Sequence, residues 1–111
     1  MCPSPPAYTT RFISVSVSFG GASGYTVPDG YRAVVTDISG FIRGSIGIDS
    51  RASAELNNLV VLQVFCAGEA RSFHWRGRQV LYAGESIQVS GGGIGGGFVD
   101  FAVTGFLFVE P

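Results

Sequence analysis

Residues 11–19 read RFISVSVSF, and their alternation of apolar and polar side chains decides the fold class. Serines occupy positions 14, 16 and 18, and the positions between them carry the apolar side chains Ile13, Val15, Val17 and Phe19. A period of two residues is that of a β-strand with one buried and one exposed face. This stretch therefore predicts a half-buried strand.

The remainder of the chain predicts further short strands separated by glycine and proline. We expect strands at 31–38, 59–65, 71–76, 79–82, 86–90 and 98–109, and the run at 59–65 is expected to be a buried strand. The loops are expected at 20–24, at 39–53 (with at most a short strand at 41–48), at 76–78 and at 91–97, whereas 54–58 could begin a helix. Short strands with turn residues every 8–12 positions predict an all-β, single-domain antiparallel β-sandwich, jelly-roll-like in arrangement.

The length allows one domain, because domains most often hold about 100–150 residues and the chain has 111. Three prolines among residues 1–6 disfavour helix and favour an extended conformation. We therefore divide the chain into an extended Pro-rich arm at 1–10 and a sandwich domain at 11–111. The arm is expected to become ordered only against a neighbouring subunit.

The composition excludes several classes of protein. The chain is 46% hydrophobic and 14% charged, against an ordinary charged share of about 25%, so it is not intrinsically disordered. The net charge is −1, and without a basic stripe we expect no nucleic-acid partner. The apolar runs are too short for a membrane helix, and no signal-peptide pattern opens the sequence, so we expect synthesis in a cytoplasm and no membrane. In that reducing setting Cys66 is expected to be a small buried hydrophobe rather than a disulfide partner of Cys2.

Groups that carry chemistry are few. One histidine, His74, leaves no metal site of the two-histidine kind, and we expect it at a surface or edge. Residues 91–96 (GGGIGG) match a dinucleotide-binding pattern in letters only, because a strand rather than a helix follows them. We therefore predict no catalytic residues, no metal and no cofactor, and the protein is not expected to be an enzyme. A small hydrolase is disfavoured by the missing nucleophile–base pair.

Two features point instead to binding. Trp75 with Tyr82 or Tyr31 could form a platform for sugars or for a partner, which keeps a carbohydrate-binding module as the alternative function. The last strand, 98–109, is apolar on both faces, and one sandwich has a single core that hides only one of them. We therefore expect a homo-oligomer, with a trimer favoured, whose interface contains Phe98, Phe106 and Phe108.

Three segments carry a resemblance to a known family. Residues 25–35 (YTVPDGYRAVV), residues 73–81 (FHWRGRQVL, followed by GESI at 84–87) and residues 103–107 (VTGFL) resemble small virion proteins of tailed bacteriophages. The resemblance implies a jelly-roll-like sandwich that decorates the capsid or forms a minor part of the tail. It further implies a place in the virion, other capsid or tail proteins as partners, and a structural role without catalysis. The 91–97 loop and the Pro-rich arm depart from the pattern.

Overall fold

Eight β-strands and no helix make up the part of the chain that the computed structural model describes, residues 9–44, 50–66, 70–93 and 97–109. The strands are β1 (Thr9–Ser18), β2 (Ala22–Thr26), β3 (Tyr31–Arg43), β4 (Ser50–Leu56), β5 (Leu59–Cys66), β6 (Ala70–Leu81), β7 (Ser86–Gly93) and β8 (Phe98–Val109). The predicted all-β class is confirmed.

The strands form two four-stranded antiparallel sheets that pack face to face. Sheet A has the order β1-β8-β3-β6, and sheet B has the order β2-β7-β4-β5. The chain passes from one sheet to the other at every connection except β4–β5, which is a hairpin. Eight strands connected in this way between two sheets form a jelly roll. The predicted jelly-roll-like sandwich is therefore confirmed as well.

The core lies between the two sheets and receives side chains from both. Ile38 and Leu81 of sheet A and Leu56 and Ile87 of sheet B are fully buried. In β1 the predicted alternation holds, because Ile13 and Val17 are buried while the serines between and beside them are exposed. A shift in the pairing with β8 lies between Arg11 and Ile13, and it allows Phe12 to be buried next to Ile13.

Several predicted loops are strands. β3 runs on to Arg43, β4 occupies 50–56, β2 occupies 22–26, and β7 extends through 91–93. The region that could have begun a helix, 54–58, is not helical: 54–56 belong to β4, along which burial alternates, and 57–58 form the turn to β5. These segments are rich in glycine, serine and alanine, whose weak strand propensity is overridden by pairing with neighbouring strands.

β6 is one continuous strand where the sequence predicted two short strands broken at 76–78. Gly77 does not interrupt it. A Cβ atom at Gly77 would lie 2.5 Å from the indole ring of Trp75, so the missing side chain makes room for that ring. The final strand, predicted at 98–109, has those bounds.

The prediction of a buried strand at 59–65 was right about the strand and wrong about its burial. The segment is β5, the edge strand of sheet B, and it exposes Leu59, Val60 and Phe65. The predicted arm falls largely on residues 1–8, outside the described residues, whereas Thr9 and Thr10 pair with β8 as part of β1. Positions 94–96 of the predicted 91–97 loop also lie outside them. Cys66 is buried, as expected.

Candidate functional site

The outer face of sheet A, which points away from the core, brings together most of the residues singled out in the sequence. Its four strands place side chains in rows that cross the sheet, and the rows differ in chemistry from one end to the other. An aromatic end, a polar centre and a shallow depression follow one another along the strands.

The aromatic end consists of apolar side chains contributed by three adjacent strands. The pairing places Val34 of β3 opposite Phe106 of β8 on one side and opposite Val80 of β6 on the other. The rings of Phe106 and Phe108 are 6.3 Å apart between centroids. Val34 is only 8% exposed although it lies on the outer face, because its neighbours cover it. The aromatic end is made of Val34, Val80, Tyr82, Phe106 and Phe108.

A cation borders the aromatic end. Arg32 lies opposite Phe108, and its Cζ atom is 5.3 Å from the centroid of the Tyr82 ring. A guanidinium at this distance from an aromatic face makes a cation–π contact. Tyr82 itself is exposed, so the apolar surface ends in a ring that reaches solvent beside the half-buried Arg32.

The polar centre is built around the carboxylate of Asp37 on β3. Nε2 of His74 lies 3.0 Å from Oδ1 of Asp37, and the hydroxyl of Thr36 donates to Oδ2 at 3.0 Å. Nε of Arg76 is 3.5 Å from Oδ1. The hydrogen bond with His74 lowers the pKa of Asp37 most, followed by the one with Thr36, with Arg76 adding to the effect. A carboxylate held in its ionised form is a good hydrogen-bond acceptor and a poor general base.

Beyond the polar centre the face becomes a shallow depression of about 400 Å³. Ser14 of β1, Ala102 of β8 and Ser39 of β3 lie side by side across it, and their short side chains leave the space. Phe98 stands at the far end, where the guanidinium of Arg43 lies 5.8 Å from its ring.

The three residues predicted for an oligomer interface share this face but not one patch. Phe106 and Phe108 are neighbours in the aromatic end. Phe98 is eight residues from Phe106 along β8, roughly 27 Å at a rise of about 3.4 Å per residue. A single interface that uses all three would have to cover the whole length of the sheet.

The aromatic residues considered for sugar contact are separated by the sheet. Trp75 pairs with Ile38 and packs against the core, on the inner face of β6. Tyr31 also packs against the core. Tyr82 is exposed on the outer side, next to Arg32. Trp75 and Tyr82 therefore do not form the platform considered from the sequence.

Sequence reasoning did not single out Val34, Val80 or Asp37. Of the polar centre it named only His74, which is exposed on the edge strand β6, as expected. One usable signal was present at 33–35, where Ala, Val and Val in succession make both faces of β3 apolar, as in β8. The contacts of Asp37 with His74 and Arg76 had no such signal, because Asp37 lies far from both residues in the sequence. Their proximity is a product of the β3–β6 pairing.

Comparison with models of protein families and with curated proteins finds no match for this chain. Among the described residues, three or more His, Cys, Asp or Glu side chains do not gather anywhere in a group that could hold a metal ion. The same residues contain no helix long and apolar enough to cross a membrane. The outer face of sheet A is thus the candidate site on its own geometry.

Proposed function

We propose that this protein is a non-enzymatic structural subunit that acts by self-association through the aromatic end of sheet A. Following the resemblance of residues 25–35, 73–81 and 103–107, we place it in the virion of a tailed bacteriophage, as a capsid decoration or minor tail component. In that role it also docks on other capsid or tail proteins.

The observation that supports self-association is a contiguous apolar and aromatic surface on the outside of a complete sandwich. The core is already filled between the sheets, so Phe106 and Phe108 are not needed on its inner side. Aromatic residues and arginine are the side chains enriched at protein interfaces and at their energetic hot spots. The aromatic end with Arg32 at its border has this composition. A closed ring of copies, for which we favour a trimer, would cover the surface in every subunit.

The chemistry of the polar centre is consistent with a structural role. Asp37 accepts hydrogen bonds from neighbouring side chains and keeps its negative charge beside Arg76. Such a group supplies directional contacts at the rim of an interface, whereas general-base catalysis needs a carboxylate whose pKa is raised toward neutrality.

Light scattering coupled to size-exclusion chromatography tests the self-association. The wild type is expected at a multiple of the 11.6 kDa chain mass, and Phe108→Ser is expected to lower that mass. Phe41→Ser is the matched control, since Phe41 lies opposite Asp100 on the same face, away from the aromatic end. A wild type that elutes as an 11.6 kDa monomer at micromolar concentration, unchanged by Phe108→Ser, would overturn the proposal.

The virion assignment has a separate test. The gene is expected to lie among portal, terminase or tape-measure genes, and the protein is expected in the proteome of the purified particles. Genes of another kind around it, together with its absence from particles, would remove the virion assignment and leave the self-association standing.

A further inference from the structure

The four sheet edges of the sandwich differ in how they are protected. β6, at one edge of sheet A, carries Arg71, His74, Arg76 and Arg78, and β2, at one edge of sheet B, has five residues. β1 presents serines to solvent. β5 has eight residues, LVVLQVFC, with neither a charge nor a proline. A long uncharged edge with exposed apolar side chains is a template for pairing with another strand.

We propose that β5 pairs antiparallel with β5 of a second copy of this chain, around a two-fold axis that passes beside Gln63. The two copies of sheet B then form one eight-stranded sheet. This surface lies on the other sheet from the aromatic end, so the proposal goes beyond the function proposed above and stands without it.

The side chains on the outer face of sheet B fit this two-fold arrangement. Within one chain, Gln63 lies opposite Ser53, and Phe65 and Val60 lie on either side of it along β5. The β4–β5 pairing shifts register between Ala54 and Glu55, so β5 has one extra residue there, and Val60 lies as many strand levels from Gln63 as Phe65 does on the other side. A two-fold axis at the level of Gln63 therefore places Phe65 of each copy beside Val60 of the other. These side chains are 58% and 57% exposed in the single chain. Pairing would cover both, in the aromatic–β-branched combination that stabilises neighbouring strands.

The charges on β4 are compatible with a second copy as the partner, because the two-fold arrangement brings no like charges into one row. Arg51 lies opposite Phe65, and Glu55 lies opposite Val60, so the two charges stand on opposite sides of the Gln63 level. The two-fold axis exchanges those sides, which puts Arg51 of one copy in the same row as Glu55 of the other. Opposite charges therefore flank each Phe65–Val60 contact, and β5 itself brings no like charges together.

The backbone of β5 is oriented for this pairing. Arg71 donates from Nη1 to the carbonyl oxygen of Phe65 at 2.7 Å, so that carbonyl is directed away from β4. Alternate residues of a strand direct their N–H and C=O groups to the same side, which places those of Gln63 at the open edge as well. The Phe65 carbonyl keeps a second lone pair for an amide of the other copy.

A charge-swap experiment tests the two-fold geometry. The variants are made in a Phe108→Ser background, so that association cannot arise from the aromatic end. This parent is expected to reach twice the 11.6 kDa chain mass at concentrations up to about 1 mM. Gln63→Lys and Gln63→Glu each place like charges face to face at the axis and are expected to weaken dimerisation tenfold or more (about 1.4 kcal/mol per factor of ten). An equimolar mixture of the two variants is expected to restore the dimer.

Ser53→Lys is the matched control. Ser53 lies opposite Gln63 on β4, so this variant adds the same charge to the same face, one strand further from the two-fold axis. Position 53 of one copy is about 14 Å from position 53 of the other, across three strand spacings. It is expected to leave the dimer intact. The proposal is overturned if the parent stays monomeric, if the single variants remain dimeric or if their mixture does not associate. It is also overturned if Ser53→Lys weakens dimerisation as much as Gln63→Lys does. Circular dichroism confirms that each variant keeps its strands.

Discussion

The imidazole of His74 lies 3.0 Å from the carboxylate of Asp37, and this contact ties the edge strand β6 to β3 on the outer face of sheet A. The two residues are far apart in sequence, and only the pairing of these strands brings them together. The contact has a consequence for the acid stability of the fold.

Asp37→Asn is expected to lower the melting temperature at neutral pH and to have little effect in strong acid. The hydrogen bond with His74, and after it the one with Thr36, hold the pKa of Asp37 below its ordinary value of 3.8. A carboxyl whose pKa is lower in the folded state stabilises the fold above pH 3.8, and this contribution is lost as the pH falls through the folded-state pKa. Thermal melts from pH 7 down to pH 2 measure it.

Asp100→Asn serves as the control for this pH series, because Asp100 is an exposed carboxylate elsewhere on the same face. It is expected to change the melting temperature less than Asp37→Asn at pH 7. A constant difference between wild type and Asp37→Asn over the whole range would contradict the prediction.

Gly40→Ala is expected to destabilise the fold by about 1–3 kcal/mol, as overpacked core positions do. A Cβ atom at Gly40 would overlap the backbone oxygen of Asp100 and lie 2.6 Å from the ring of Phe73. The Asp100 oxygen belongs to the backbone of the central strand β8, so it cannot rotate away as a side chain could. Gly92→Ala is the matched change, since its Cβ would meet only the flexible guanidinium of Arg51 at 3.4 Å. Urea unfolding should separate the two variants, and equal stabilities would refute the argument.

Leu56→Ala and Leu59→Ala should differ strongly although the two leucines face each other across the β4–β5 hairpin. Leu56 is 0% exposed and Leu59 is 67% exposed. Truncating the buried leucine is expected to cost about 2–5 kcal/mol, whereas truncating the exposed one should stay within about 0.5 kcal/mol. Chemical denaturation of both variants measures the difference, and a large loss from Leu59→Ala would show that its side chain is buried by something outside the single chain.

Gly77→Ala is expected to displace the indole of Trp75 and to shift its fluorescence emission to longer wavelength. The added Cβ would lie 2.5 Å from the ring, so the ring must move from its place against the core toward water. Trp75 is the single tryptophan, which makes the signal specific. Emission identical to the wild type would mean that the indole does not lie over Gly77.

The amino-acid sequence by itself determined the class of fold. The serine alternation at 14, 16 and 18 and the apolar strand at 98–109 are local patterns, because a strand shows its buried face in every second residue. They predicted the all-β sandwich and the full extent of β8. The same patterns placed Phe106 and Phe108 on one face of β8, where the structure has them side by side.

Only the tertiary structure decided which strands are edges and which residues share a face. The apolar run at 59–65 resembles a central strand, yet its neighbours leave it at the open edge of sheet B. Residues 22–26 and 50–56 have weak strand propensity, and both pair with β7, which comes from a distant part of the chain. Trp75 lies in β6 and Tyr82 directly follows it, yet the two side chains are on opposite sides of the sheet. Burial and proximity depend on which strands pair. Pairing is a contact between two segments, and the pattern of residues within one segment does not specify its partner.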